Sequence, residues 1–266
     1  MKNHDELPEG WWHYPNTLSG YRVNLSWKSC LLSIFDTRHN EFWMIWSDLL
    51  PMFVYGQIFV WYVTSEKFRG LDEMHQVMTG AIYFAVFITR VFSSIYHIFN
   101  CMSLRLNQIL INLDLMGICQ GSLGSSWFMA TYLGIRKWQD DRFLVYVSIL
   151  YTNYVMCMVV FSYLLMSADK SAVFNRLAIN LLLVLAVIGN APLIAIGCSN
   201  SFPMYLRICC LCGTGTLSLG YMIYSNNIPE VFMKVGIADG KIWNSHVIWH
   251  NLVTIAQACF ICATMV

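Results

Sequence analysis

Apolar stretches long enough to cross a lipid bilayer recur along this chain, and short polar segments separate them. A helix needs roughly 20 residues, at about 1.5 Å each, to cross a hydrocarbon core of about 30 Å. Seven stretches reach that length, at roughly residues 42–64, 76–99, 108–134, 143–166, 175–198, 203–225 and 245–266. The pattern predicts an all-α integral membrane protein built as a bundle of seven transmembrane helices.

Residues 1–38 contain no such stretch, so we predict a short N-terminal segment (1–38) ahead of one transmembrane domain (39–266). Cytosolic loops of membrane proteins carry an excess of Lys and Arg. Nine Lys or Arg residues fall on the side of the N-terminus and six on the opposite side. This asymmetry predicts that the N-terminus lies in the cytosol.

The composition agrees with a membrane protein. Of the 266 residues, 57% are hydrophobic and 12% are charged, whereas about a quarter of an ordinary soluble domain is charged. The net charge is +1 and we see no basic stripe. We therefore expect no nucleic-acid partner.

Polar residues interrupt the second apolar stretch, QVMTGAIYFAVFITRVFSSIYHIF. Arg90, Ser93 or Ser94, and His97 follow one another at helical spacing and therefore share one face of a helix. Polar groups are costly against lipid, so we expect this face to look into the bundle.

Two other stretches carry polar groups near their beginnings. The seventh opens with NSHVIWH, which places His246 and His250 four residues apart on one helix face, and the third buries Asp114. If neighbouring helices are antiparallel, the end of the second stretch meets the beginnings of the third and seventh. His97, His246, His250 and Asp114 are therefore expected to converge.

Three histidine ligands with a fourth position open to water are typical of a catalytic zinc site. In this interpretation Asp114 acts through water and not as a direct ligand, holding or deprotonating that water. Ser93 would donate to the water or to a substrate carbonyl. Two alternatives are structural: histidines that only pack, and an Asp114 that forms a salt bridge with Arg90. We also expect Arg90 to contact a lipid head group or to cap a helix end.

A family resemblance rests on several short motifs in a constant order. They are Gly20-Tyr21-Arg22, Cys30, Ser33-Ile34-Phe35, His39-Asn40-Glu41, Ser93 with His97, Asp114, Ile228-Pro229-Glu230, and His246 with His250. In this order and spacing the sequence resembles the progestin and adipoQ receptors, relatives of the haemolysin-III-like proteins, from about residue 19 to 262. Within that group it looks most like the fourth member.

The resemblance implies an adiponectin-receptor-like bundle of seven helices with a cytosolic N-terminus. It also implies that His97, His246 and His250 bind Zn²⁺ and that a water lies between the zinc and Asp114. Some members of the family look like slow ceramide amidases, and others are described as steroid or adipokine receptors or as Golgi scaffolds.

The first transmembrane stretch departs from the family pattern. Where the family usually shows Asn-Ile-Trp-Thr-His, this chain has Met-Ile-Trp-Ser-Asp at residues 44–48. The change adds the Asp48 carboxylate near the expected membrane surface. Arg90 also has no counterpart in the family pattern.

Three functions stay open at this point. The first is a receptor-type protein that slowly hydrolyses a ceramide-like lipid amide with zinc. The second is a receptor with structural zinc, and the third is a scaffold of the Golgi or endoplasmic reticulum. The expected partners are membrane lipids, a ceramide or a fatty acid among them, and an extracellular or steroid ligand. The sequence distinguishes neither the plasma membrane from Golgi or endoplasmic reticulum nor one oligomeric state from another.

Overall fold

The computed structural model describes residues 1–9, 11, 17–135, 152, 155, 156, 159, 190–237, 239 and 241–265. The regular structure in these residues is helical, apart from one isolated β-bridge between Lys2 and Tyr21. The helices are α1 (Trp27–Ser33), α2 (Phe42–Val63), α3 (Glu66–Arg69), α4 (Glu73–Phe99), α5 (Leu104–Ile135), α6 (Met204–Ser225) and α7 (Ser245–Thr264). Residues 190–198 are also helical, and short 3₁₀ turns lie at His4–Glu6 and Glu230–Phe232.

Five of the seven predicted stretches coincide with long helices, namely α2, α4, α5, α6 and α7. Within the described residues, three helical segments are suited by length and composition to cross a membrane: His75–Phe99, Met204–Ser225 and Ser245–Thr264. Most of the predicted stretches 143–166 and 175–198 lies outside the described residues. The helical membrane class is therefore confirmed, and the count of seven and the cytosolic N-terminus stay predictions.

Side chains at the helix ends satisfy backbone groups that have no partner within the helix. Ser26 accepts a hydrogen bond from the Ser29 N–H at the beginning of α1, and Ser65 accepts one from the Phe68 N–H at α3. At the other end of α4, the Arg22 guanidinium donates to a backbone carbonyl, that of His97, at 2.5 Å. The N-terminal segment thereby fixes the end of the helix that carries His97.

Contacts divide the described chain into two compact units, and each unit is built from parts of several helices. The first unit comprises Met1–Phe53, Arg90–Asp114 and Gly215–Ala256. Its apolar core has two clusters, one around Tyr21, Met44 and Val247 and one around Cys30, Ile45, Ile98 and Cys101. Many buried polar side chains accompany these clusters, and they include every candidate site residue named above.

The second unit comprises Val54–Thr89, Leu115–Thr214 and Gln257–Val266. Its core is aromatic and aliphatic, with Tyr55, Tyr62, Tyr83, Val86 and Ile261 buried together.

Helices α4 and α5 approach closely within this second unit. A Cβ added at Gly121 would lie 1.8 Å from the Thr89 Oγ1 atom. The same hydroxyl donates to the Gly117 carbonyl at 2.8 Å. Small residues allow backbones to come this near, and a side chain at position 121 would force the two helices apart.

Candidate metal centre

Three histidines from two helices meet in the first unit. His97 comes from the last turn of α4, and His246 and His250 come from the first turns of α7. One ring nitrogen from each lies within 4.8 Å of the others. The ring centroids are 5.2 Å apart for His97 and His246, and 5.0 Å apart for His97 and His250. The predicted convergence of the three imidazoles is therefore found.

Local structure holds the α7 pair in place. Histidines four residues apart project from the same helix face, and the helix begins immediately before them. Asn244 caps this beginning, because its side-chain oxygen accepts a hydrogen bond from the His246 N–H at 2.9 Å. Glu230 accepts one from the Ser245 N–H at 2.6 Å. The first turn of α7 is thus fixed from two directions.

The three imidazoles are shielded from solvent. Their exposed fractions are 0% for His97, 9% for His246 and 5% for His250. Removing imidazole nitrogens from water is costly unless each finds a partner. The burial therefore points to a defined partner for these nitrogens and argues against a solvated cluster.

A carboxylate supports His97 from the turn before α2. The His97 Nδ1–H donates to Glu41 Oε2 at 2.6 Å, and the Asn100 amide donates to Glu41 Oε1 at 3.2 Å. With its Nδ1 atom protonated, the neutral ring presents a lone pair on Nε2. That buried Nε2 atom has no hydrogen-bonding partner within the described part of the chain.

A second carboxylate supports His250 from within α2. Asp48 Oδ2 lies 3.0 Å from His250 Nδ1, a contact that is not aligned as an ideal hydrogen bond. Asp48 Oδ1 accepts a hydrogen bond from Arg90 Nη1 at 2.7 Å. Arg90 and Asp48 are each 1% exposed, so this is a fully buried ion pair.

Asp114 and Ser93 also lie in the first unit, both buried. The Ser93 hydroxyl hydrogen-bonds to the Asp114 carboxyl group, which interacts electrostatically with His97 and His250. The Asp114 Oδ1 atom has no hydrogen-bonding partner among the residues that the structure describes. The predicted roles of Asp114 and Ser93 in catalysis stay predictions, although both groups are positioned near the histidines.

The residues fit a bound metal ion. A metal cation needs several lone pairs directed at one point. The Nε2 atom of His97 has no hydrogen-bonding partner among the described residues, and three ring nitrogens cluster there. Imidazole is a suitable ligand for zinc, copper, iron and nickel. Histidines that bind metals usually donate their other N–H to a carboxylate or carbonyl. The Glu41 contact with His97 has this form.

Sequence patterns do not place Glu41 or Asp48 in the site. Glu41 belongs to the motif His39-Asn40-Glu41, and Asp48 differs from the residue expected in the family pattern. Arg90 was expected at a lipid head group or a helix end, and the lipid contact stays untested. Its Nη1 atom donates to Asp48, inside the first unit.

His39, in the turn before α2, positions the backbone of Glu41. Its Nε2–H donates to the Ser33 carbonyl at 2.8 Å, and its Nδ1 accepts from the Glu41 N–H at 3.2 Å. These two contacts define a neutral imidazole. Burial, helped by the nearby Arg22 charge, lowers the pKa of His39 to about 4.

A comparison with protein families covers the residues of the candidate site. A model of haemolysin-III-related proteins matches residues 36–261, a range that contains all three histidines and Glu41, Asp48, Arg90 and Asp114. A comparison with curated proteins gives no significant match.

Proposed function

The chain belongs to the haemolysin-III-related family of integral membrane proteins, and from that premise we propose that it is a multi-pass zinc protein that slowly hydrolyses a ceramide-like lipid amide. One observation carries the proposal. Three buried histidines offer ring nitrogens within 4.8 Å of one another, and the buried carboxyl group of Asp114 interacts electrostatically with two of them.

Zinc is the proposed metal, and His97, His246 and His250 are its proposed ligands. When bound, zinc supplies Lewis acidity and the means to activate a water at neutral pH. Three protein ligands are typical of catalytic zinc sites, whereas structural sites are usually closed by four. The cluster of candidate ligands among the described residues has three members, which supports a catalytic site.

Asp114 is the proposed general base. Its Oδ1 atom has no hydrogen-bonding partner in the described part of the chain, so that oxygen can accept a proton from water. Ser93 hydrogen-bonds to the same carboxyl group and thereby holds its orientation. Hydrolysis adds water across the amide C–N bond and releases a fatty acid and an amine. The proton taken by Asp114 is then available to the leaving amine.

A lipid substrate suits the location of the site. The histidines lie on two helices that are long and apolar enough to cross a membrane, and they are almost inaccessible to solvent. A substrate must therefore reach them from the membrane, as an amide with a long acyl chain can. The resemblance to progestin and adipoQ receptors extends the proposal to receptor-type signalling and to a bundle of seven helices with a cytosolic N-terminus. The proposal also includes the likeness of this chain to the fourth member of that group.

The test combines metal analysis with lipid hydrolysis by purified protein in detergent. The wild type is expected to carry about one zinc per chain and to release fatty acid from a fluorescent ceramide. Asp114→Asn keeps the size of the side chain but cannot take a proton. It should retain zinc and lose about 10²–10⁴-fold in rate, the usual contribution of acid–base catalysis. Asp36→Asn, at a partly exposed ion pair with Arg38, is the matched control and should behave as wild type.

The outcomes separate the parts of the proposal. A wild-type protein without metal would overturn the zinc site. Zinc with no more product than the His250→Ala variant releases would overturn the amidase and leave a receptor or scaffold in which zinc is structural. Full hydrolysis by Asp114→Asn would remove Asp114 from catalysis.

A further inference from the structure

Asp48 bridges a cation and a candidate metal ligand. One of its carboxylate oxygens accepts from Arg90 Nη1 at 2.7 Å, and the other lies 3.0 Å from His250 Nδ1. The side chains of Asp48 and Arg90 are each 2% exposed, and that of His250 is 6% exposed. One oxygen therefore accepts a hydrogen bond from the guanidinium, and the other lies in close contact with His250 among buried side chains.

The contact on His250 determines which ring nitrogen can bind a metal. When the carboxylate engages Nδ1, the proton stays on Nδ1 and the Nε2 lone pair points away from Asp48. On His97, Glu41 accepts a hydrogen bond from the corresponding Nδ1–H at 2.6 Å. Two of the three histidines thus have a carboxylate at Nδ1, the arrangement that raises ligand basicity and fixes ring orientation in metal sites.

Arg90 provides the opposite charge that offsets the cost of burying the Asp48 carboxylate. A buried charge without a partner is strongly destabilising, yet a buried ion pair is often no more stable than an apolar pair of similar volume. Stability alone therefore gives no reason to keep two charges inside these helices. The guanidinium holds one oxygen of Asp48 and leaves the other oxygen directed at His250.

We propose that Asp48 is a positioning residue that sets the ring orientation and basicity of His250 for metal binding, and that Arg90 fixes the Asp48 carboxylate for this purpose. The inference rests on the proposed metal centre and adds two residues to it. Neither residue needs to contact the metal or the substrate.

The test measures metal binding and not activity. Wild type and variants are stripped of metal, loaded with Co²⁺, and followed by visible absorption, which reports the ligand field. Affinities for Zn²⁺ and Co²⁺ are obtained by competition with a chelator. Asp48→Asn is expected to weaken metal binding about 10–100-fold, as loss of such an outer partner usually does, and to shift the Co²⁺ spectrum.

A double variant separates positioning from folding. Asp48→Asn alone leaves the Arg90 charge buried, so a loss of stability would confuse the result. Asp48→Asn with Arg90→Met removes both charges together and is expected to recover thermal stability. Its metal affinity and Co²⁺ spectrum should stay as altered as those of Asp48→Asn. Wild-type affinity and spectrum in the folded double variant would overturn the proposal.

Asp48→Glu keeps the charge and moves the carboxylate by one methylene, so it provides a second folded variant. We expect a shifted Co²⁺ spectrum with a smaller loss of affinity than in Asp48→Asn. A spectrum and an affinity equal to those of wild type would count against the inference. Asp36→Asn, which removes a partly exposed carboxylate partnered by Arg38, is the matched control and should change neither.

Failure of the metal centre itself would look different. If wild type binds no Co²⁺, or if His250→Ala binds it as well as wild type does, the proposed zinc site falls and the inference falls with it. If His250→Ala abolishes binding while the Asp48 variants bind as wild type, only the role of Asp48 and Arg90 is overturned.

Discussion

Two carboxylates, Glu41 and Asp48, contact two histidines of the candidate metal centre. The second oxygens of these carboxylates have different partners. Glu41 lies in the turn before α2, and its second oxygen accepts from a neutral amide, that of Asn100, at 3.2 Å. Asp48 lies about two turns inside the same helix, and its second oxygen accepts from a guanidinium, that of Arg90, at 2.7 Å. The second partner of the Glu41 carboxylate is therefore a neutral amide, and that of the Asp48 carboxylate is a charged guanidinium.

The surroundings of each carboxylate explain the difference. Glu41 borders a small pocket that is also lined by Arg22, Asn40 and Asn107, so several polar groups lie near its charge. Asp48 is 1% exposed within α2, and a buried charge without an opposite charge is strongly destabilising. The comparison teaches that two carboxylates in contact with candidate metal ligands have different partners in different surroundings.

The largest expected effect comes from removing the histidines themselves. His97→Ala and His250→Ala should each lose bound zinc and melt at a lower temperature, because metal-binding energy contributes to folding. Metal content by mass spectrometry and melting curves with and without chelator measure both effects. His4→Ala, at an exposed position, is the control. Retention of zinc by His97→Ala alone would show that the α7 pair is sufficient.

The partners of the two carboxylates should differ most in stability. Arg90→Met leaves Asp48 buried without its cation and should lower the free energy of unfolding by about 3–5 kcal/mol. Asn100→Ala removes a hydrogen bond from a neutral amide to the Glu41 carboxylate and should cost about 1.5–3 kcal/mol. Unfolding by denaturant in detergent gives both values. Equal losses would contradict the difference between the two carboxylates.

Glu41→Gln tests whether both carboxylates act on the metal. The amide keeps the size of the side chain and an oxygen that can accept from His97 Nδ1–H, but it removes the charge. Metal affinity measured by chelator competition should fall about 10–100-fold, as expected for Asp48→Asn. Glu66→Gln, at the exposed beginning of α3, should bind metal as wild type does. An unchanged affinity in Glu41→Gln would restrict the effect to Asp48.

The effect confined to acidic pH concerns His39, which positions the backbone of Glu41. The pKa of His39 is about 4 in the folded protein, and the ordinary value is 6.5. The unfolded chain therefore binds the proton first as the pH falls. The contribution of His39 to stability is complete above about pH 6.5 and is lost as the pH falls to about 4.

Melting temperatures between pH 7 and pH 4 measure this contribution. His39→Gln should show a smaller decrease over that range than wild type, whereas the exposed His4→Gln should follow wild type. Parallel curves for wild type and His39→Gln would show that the imidazole is not neutral in the folded state.

Helix positions and the convergence of the three histidines could be predicted because both follow from local patterns. Apolar runs of span length coincide with α2, α4, α5, α6 and α7. His246 and His250 share a face because four residues nearly complete one helical turn. The expected antiparallel order brings His97 toward them, and the three do meet.

The supports of the ligands could not be predicted in the same way. Glu41 is 56 residues from His97 along the chain, and Asp48 is 42 residues from Arg90. No spacing rule connects residues this far apart on different helices. The sequence showed that Asp48 and Arg90 each departed from the family pattern, and it did not show that they contact each other.

The amino-acid pattern was therefore enough to place the five described long helices, their polar faces and the three imidazoles close to one another. The packed structure was needed to show which carboxylate holds which ring and through which nitrogen. The physical reason is that helix periodicity depends on neighbours along the chain and is readable locally. A hydrogen bond between helices depends on their rotation and depth, which the packing of all their side chains sets together.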